Sequence, residues 1–398
     1  MIPLLALPND SKLVLVVMDG LGGLSIEPGG PTELEAARTP HLDRLASEGT
    51  VGQIVPVRSG VTPGSAPAHM ALFGYDPISN HIGRGVAEAA GVGLQVGTED
   101  VAARGNFCTV DRTGRITDRR AGRIASEVAL PLVERLGTLN VPGAEIEIRH
   151  VREYRFVLVM HGTGLHADIT DTDPQQTGVP PRPVVARSEI ASNTADLFNQ
   201  WIHAAGRTLV DQMDANMVTL RGFASDPQLS SFKEMYALDA ASITVYPMYR
   251  GVSLLAGMQT ITFAGESPGD QFAAVRAEID NHNFFLIHIK ATDSCGEEGD
   301  FKGKVAVIEA VDSALPALLH SEPDVIVVTG DHSTPARMRS HSWHPVPLLL
   351  WAPETARQDR ASEFGETACT TGGLGSFPAT DVVPLMLAHG RRLSKFGS

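Results

Sequence analysis

Cysteine is scarce in this chain, aromatic side chains are few, positive charge is in deficit and no apolar run is long; each shortage removes a class of function. The three cysteines, Cys108, Cys295 and Cys369, are odd in number, widely spaced and form no C-x-x-C pair, so neither a disulfide framework nor a zinc knuckle is expected. A reducing cytoplasm fits this usage. There are 32 basic side chains against 46 acidic ones, a net charge of −14, which repels nucleic acid and anionic lipid unless a local basic patch overrides it. No such patch stands out, so neither nucleic acid nor membrane is an expected partner. No apolar stretch approaches the roughly 20 residues that span a bilayer, and the opening MIPLLALPND lacks a basic start and is cut by Pro3 and Pro8 before it could act as an export signal.

What is present reads as a soluble enzyme. Hydrophobic residues make up 43% and charged residues 20% of 398, enough to bury a large core and to form two lobes. Three runs, KLVLVVMDG (Lys12–Gly20), FFLIHIKATDS (Phe284–Ser294) and DVIVVTGDH (Asp324–His332), are apolar without alternation, the mark of strands covered on both faces. Helical patterns intervene, among them TPHLDRLASEG, with Thr39 as N-cap and Pro40 in the first turn. Strand, helix, strand predicts an α/β fold with a mostly parallel sheet flanked by helices. Between about Gly97 and Val185 the composition shifts to short alternating pieces, many arginines and a proline-rich exit, which marks an inserted domain. The division expected is 1–96 with 186–398 as the core and 97–185 as an inserted substrate or cap domain.

Each of the three buried runs ends in an aspartate. In open parallel sheets ligands sit beyond the carboxyl ends of the strands, so Asp19, Asp293 and Asp331 are expected to converge, joined by His332 and by the histidines of VVTGDHSTPARMRSHSWHP, His341 and His344. Carboxylates with imidazoles suit Zn, Mn, Co or Fe better than Ca. Two ions can be served, one by Asp19, Asp331 and His332, the other by Asp293 with a histidine. In TPGSAPAH, Ser65 follows a Pro-Gly turn and opens an apolar helical stretch, a place for a serine that accepts a phosphoryl group.

The ordered series VVMDGLGG, TPHLDRLASEG, TPGSAPAHMALFGYDP, GRGVAEAAGVGL, ARGNFCTVD, TDTDP, TGDHSTP and HSWHPVP resembles the cofactor-independent phosphoglycerate mutases of the archaeal type, within the alkaline phosphatase superfamily. The resemblance implies an alkaline-phosphatase-like core with a smaller inserted α+β domain, two divalent ions (Mn, Zn, Co or Mg) and a phosphoserine intermediate on a small phosphorylated substrate. It implies Asp19, Ser65, Asp331 and His332 as ligands of one ion and Asp293 and His341 of the other, with His344 an additional candidate ligand. His69 would stand beside the nucleophile as a catalytic residue. Arg84, Arg104, Arg120 and Arg123 would clamp phosphate and carboxylate.

Three positions depart from the family pattern. The motif Asp-x-x-Gly-His reads Asp293-Ser-Cys-Gly-Glu297 here, which makes Glu297 a candidate ligand and hardens that site towards Mn or Mg. Asp239 stands where the family has a lysine and His161 where it has an arginine, both counted as substrate-binding positions. Exchanging a cation for a carboxylate weakens attraction for an anionic substrate, so a substrate other than phosphoglycerate is one expectation. A phosphatase of a small phosphorylated or phosphonate metabolite, and a non-catalytic relative, are the alternatives.

Overall fold

A computed structural model describes residues 1–80 and 82–397. The chain divides into two compact units, residues 1–81 with 229–398, and residues 82–228.

The first unit is built on an eight-stranded sheet in the order Gly375–Pro378, Thr50–Val55, Val346–Trp351, Val325–Thr329, Leu13–Met18, Phe284–Ile289, Ala240–Thr244 and Gln259–Thr260. Neighbours run parallel except at Val346–Trp351, which is antiparallel to both of its partners. The three strands read from the sequence sit side by side at its centre and are buried at every residue. Helices cover both faces of such strands, so no position can be polar for solvent's sake, and the apolar runs lack alternation. Their registers are level: Leu13 pairs Phe284 on one side and Val325 on the other, and Met18 pairs Ile289. The residues that follow each strand therefore emerge at one edge.

The helix Pro40–Glu48 begins at the expected proline, but the Thr39 side chain does not cap it. Asp312, from the helix Phe301–Leu319, accepts instead from the N–H groups of His41 at 3.0 Å and Leu42 at 2.7 Å. A buried carboxylate from another element meets the positive end of this helix, and this contact has no local sequence signal.

The second unit is wider than the expected 97–185. Its sheet is antiparallel, with Val101–Val110 at the centre, Arg155–His161 then Glu145–Arg152 on one side and Met217–Ala224 on the other. That last strand and the helix Ser192–Thr208 were expected in the core; they belong here because they complete the hydrophobic cluster of Phe107, Phe156, Phe198 and Trp201. The helix Arg84–Gly91 also joins this unit, lying so close to the central strand that a Cβ on Gly85 would come 2.4 Å from the Ala102 carbonyl. The three cysteines are free thiols, and no helix among the described residues is long and apolar enough to cross a membrane.

Candidate active site

Asp19 follows strand Leu13–Met18 directly, Asp331 lies two residues past Val325–Thr329, and Asp293 lies in the first turn of the helix Ala291–Glu298 after Phe284–Ile289. The chain can bring them together because Gly20 turns with φ +65°, and a Cβ there would come 2.5 Å from Thr334 Oγ1 and 2.9 Å from Asp293 Oδ1. Only glycine satisfies both demands. The Gly20 N–H donates to Asp331 Oδ1 at 3.0 Å.

His332 is the hub. Its Nε2 lies 3.3 Å from Asp19 Oδ1, 3.2 Å from Asp331 Oδ2 and 3.3 Å from Ser65 Oγ, and its ring stacks on His341 at 3.7 Å. His341 Nε2 is 3.5 Å from Asp293 Oδ1. Ser65 is the first residue of the helix Ser65–Leu72, which aims N–H dipoles at the space around its hydroxyl.

Two donor sets result, Asp19 with Asp331 and His332, and Asp293 with His332 and His341, each with its ligand atoms within 4.8 Å of one another. The residues fit divalent cations on a direct criterion: Asp19 Oδ1 and Asp331 Oδ2 are buried with no hydrogen-bond partner, an arrangement that costs several kcal/mol unless a cation is bound. Burial pushes the Asp19 carboxyl up, but Lys290, His288 and His332 together outweigh it and hold the group well below the usual carboxylate range. Burial also raises Asp331, as does Asp19, yet His332 and His69 bring it below its ordinary value. His332 is pushed down by burial, which keeps its imidazole neutral and its lone pair free for a ligand.

The structure thus gathers Asp19, Ser65, Asp293, Asp331, His332 and His341. Glu297 lies one turn beyond Asp293, is mostly exposed, and comes 3.9 Å from His341 Nε2 without entering either donor set. His344 lies outside both sets as well; its Nδ1 is 3.0 Å from Ser342 Oγ and its ring stacks on the exposed Trp343. His69 is wholly buried, with Nδ1 2.9 Å from the Ser65 carbonyl and 3.3 Å from Asp331 Oδ2, which places it directly behind the serine. Asp239 is a correction: it precedes Ala240–Thr244 at the amino end of the sheet, exposed and paired with Lys233 at 3.0 Å. It does not line the crevice, because residues before parallel strands emerge opposite the ligand edge.

Four residues at the site had gone unread. Lys290 joins Asp19 Oδ2 at 2.9 Å to Asp293 Oδ2 at 2.5 Å. Thr334 donates to Asp293 Oδ1 at 2.6 Å. Tyr249 donates to Asp19 Oδ2 at 2.5 Å, and His288 Nε2 lies 3.3 Å from that oxygen. Lys290 did have a signal, since it is the first charge after the buried run FFLIHI. Tyr249 had none.

The second unit carries a separate group of arginines. Arg104 and Arg84 face the buried Glu88, at 3.3 and 3.7 Å, and Arg119 forms a two-pronged pair with Asp173 at 3.1 and 2.8 Å. Arg221 lies 3.8 Å from the same carboxylate; burial and then the Arg84 charge push its guanidinium below the ordinary value against the pull of Asp173 and Asp171. Arg120 and Arg123 are exposed and make no ion pair among the described residues. They bracket a turn in which Ala121, Gly122 and Arg123 all have positive φ, held by the Asp118 carboxylate. His161 is taken up by Asp100 at 3.0 Å and Glu147 at 3.6 Å.

A mostly parallel sheet with metal-type donors at its strand ends and a serine at a helix start defines an alkaline-phosphatase-like enzyme core. The sequence profile of 2,3-bisphosphoglycerate-independent phosphoglycerate mutase matches residues 46–213. The probable 2,3-bisphosphoglycerate-independent phosphoglycerate mutase of Thermus thermophilus is 44% identical over 398 residues, covering 99% of this chain and 98% of its own. That of Thermotoga neapolitana is 45% identical over 392 residues, covering 98% and 96%. Among solved structures, a protein from Pyrococcus horikoshii superposes with TM-score 0.85 at 28% identity over 98% of this chain and 99% of that one. The cofactor-independent phosphoglycerate mutase from Thermoplasma acidophilum gives 0.71 at 28% identity over 96% and 100%. The chain belongs to the 2,3-bisphosphoglycerate-independent phosphoglycerate mutase family. Membership implies divalent-metal binding, which the two donor sets fit.

Proposed function

We propose that this protein interconverts 2- and 3-phosphoglycerate through a phosphoserine at Ser65, with two divalent cations, one held by Asp19, Asp331 and His332 and the other by Asp293 and His341. The observation that carries the reading is Ser65 Oγ lying 3.3 Å from the imidazole that both donor sets share. Bound cations would lower the pKa of the Ser65 hydroxyl and neutralise charge on the phosphoryl oxygens. Ser65 Oγ forms a bond to phosphorus as the substrate's ester oxygen leaves with a proton; the other hydroxyl of the glycerate then takes the phosphoryl group and frees the serine. Lys290, between Asp19 and Asp293, supplies a fixed positive charge at the reacting end.

We assign an anion-binding role to the arginines of the second unit, since guanidinium holds carboxylate and phosphate in a two-pronged geometry. Arg221 supports this: burial and then the Arg84 charge hold its guanidinium below the ordinary value despite Asp173 and Asp171, and a bound anion would offset both. Carboxylates joined by imidazoles suit Mn, Zn or Co. The free thiols suit a reducing cytoplasm.

Ser65→Ala tests the reading. Turnover should fall by at least about a thousandfold while Mn²⁺ binding persists, and wild-type protein given phosphoglycerate should yield phosphoserine at residue 65 with no free phosphate. Steady phosphate release would make the enzyme a phosphatase, and retained activity in the variant would remove Ser65 from the mechanism.

A further inference from the structure

We propose that Tyr249 is a positioning residue, fixing which oxygen of Asp19 faces a metal ion. This role requires metal binding at Asp19 and does not depend on the reaction proposed above.

Tyr249 lies on the helix Pro247–Leu255 and is 1% exposed. Its ring lies nearly flat on that of His288, with centroids 3.7 Å apart and planes 28° apart, and 4.7 Å from the His69 ring. This packing leaves the phenol no freedom to swing. Its hydroxyl donates to Asp19 Oδ2 at 2.5 Å. The two oxygens of Asp19 are therefore unlike: Oδ2 meets Tyr249, Lys290 and His288, whereas Oδ1 has no hydrogen-bond partner and faces His332 Nε2. A carboxylate loaded with donors on one side presents its other oxygen as the ligand, the same division of labour that outer contacts impose on metal ligands generally.

Of the three groups on Oδ2, Lys290 is shared with Asp293, and His288 stands at 3.3 Å. Tyr249 gives the short contact that belongs to Asp19 alone. The phenol thus orients one carboxylate of the site from the buried wall behind it.

The test is Tyr249→Phe, which removes one oxygen and keeps the ring. Mn²⁺ binding is titrated by the electron paramagnetic resonance signal of the free ion, in wild-type protein and in a His341→Ala background that leaves the Asp19 set alone. Affinity at the Asp19 set should fall by about 10- to 100-fold, with the other set within a few-fold of wild type, and kcat should fall with KM unchanged. Wild-type Mn²⁺ affinity in Tyr249→Phe would overturn the proposal. His288→Gln, which removes the stacking ring, should shift the same affinity in the same direction, and it stands in should Tyr249→Phe fail to fold by circular dichroism. The titration needs no substrate. A wild-type protein that binds Mn²⁺ but does not turn over phosphoglycerate would end the proposed function and leave the role at Asp19 standing; one that binds no Mn²⁺ would end both.

Discussion

The strand-end site of the first unit and the arginine group of the second hold their charged side chains in opposite ways. In the first, carboxylates and imidazoles are rooted at the ends of strands buried at every residue, and two carboxylate oxygens lack partners. In the second, long guanidinium arms reach from an antiparallel sheet, a helix start and a turn, several of them partly exposed, and crowd one another. A cation coordinated at close range needs donors fixed to fractions of an ångström, which short side chains on central strands provide. An anion of variable shape is better met by long, planar donors. The difference in construction therefore predicts that the two regions fail in different observables.

The largest effect that would sharpen this contrast is Arg221→Gln. Losing a charged hydrogen-bond donor to an anion removes roughly 1.5–3 kcal/mol, so KM for phosphoglycerate should rise by about 10- to 100-fold while Mn²⁺ affinity, measured without substrate, stays at the wild-type value. A fall in Mn²⁺ affinity would mean that the two regions are not separable in this way.

Legibility from sequence follows the same line. The three aspartates could be read because a buried strand advertises itself as an unbroken apolar run and its carboxyl end is fixed by the chain direction; Asp19, Asp293 and Asp331 needed nothing more. His332 and His341 came with them. Tyr249 and His288 could not be read, since each looks like ordinary core, one inside a helix and the other inside a strand. Among the arginines, ARG-rich segments were visible but not which guanidinium turns inward. In DRRAGR it is Arg119 that reaches Asp173, while Arg120 and Arg123 point to solvent on a left-handed turn. The edge of the second unit was misjudged because Met217–Ala224 pairs with a strand more than a hundred residues earlier in sequence.

A smaller effect concerns the frame of the arginine group. Burial raises the Asp173 carboxyl, but its hydrogen bonds from Arg119 and from the Gln175 N–H hold it below the ordinary value. A depressed carboxylate contributes stability that is complete above its unfolded value of about 4 and is lost as pH falls from there through the lower folded value. Asp173→Asn should therefore be destabilised by about 2 kcal/mol at pH 7, with the gap from wild type closing below about pH 4, as read by denaturant melts at both pH values. A gap independent of pH would mean that Asp173 acts through packing and not through its charge.

The smallest expected effect is the one that best isolates the strand-end site. Asp239 stands before Ala240, which pairs with Phe284 at the start of its strand, while Thr244 pairs with His288 near the other end. Five residues at about 3.3 Å each place Asp239 some 16 Å from the edge that carries the ligands. It is exposed and its partner is Lys233, a surface pair worth well under 1 kcal/mol. Asp239→Lys should accordingly change kcat/KM for phosphoglycerate by less than twofold and leave Mn²⁺ affinity untouched. A severalfold gain in turnover would mean that charge at the amino end of the sheet reaches the substrate after all, and the separation drawn from the strand registers would fail.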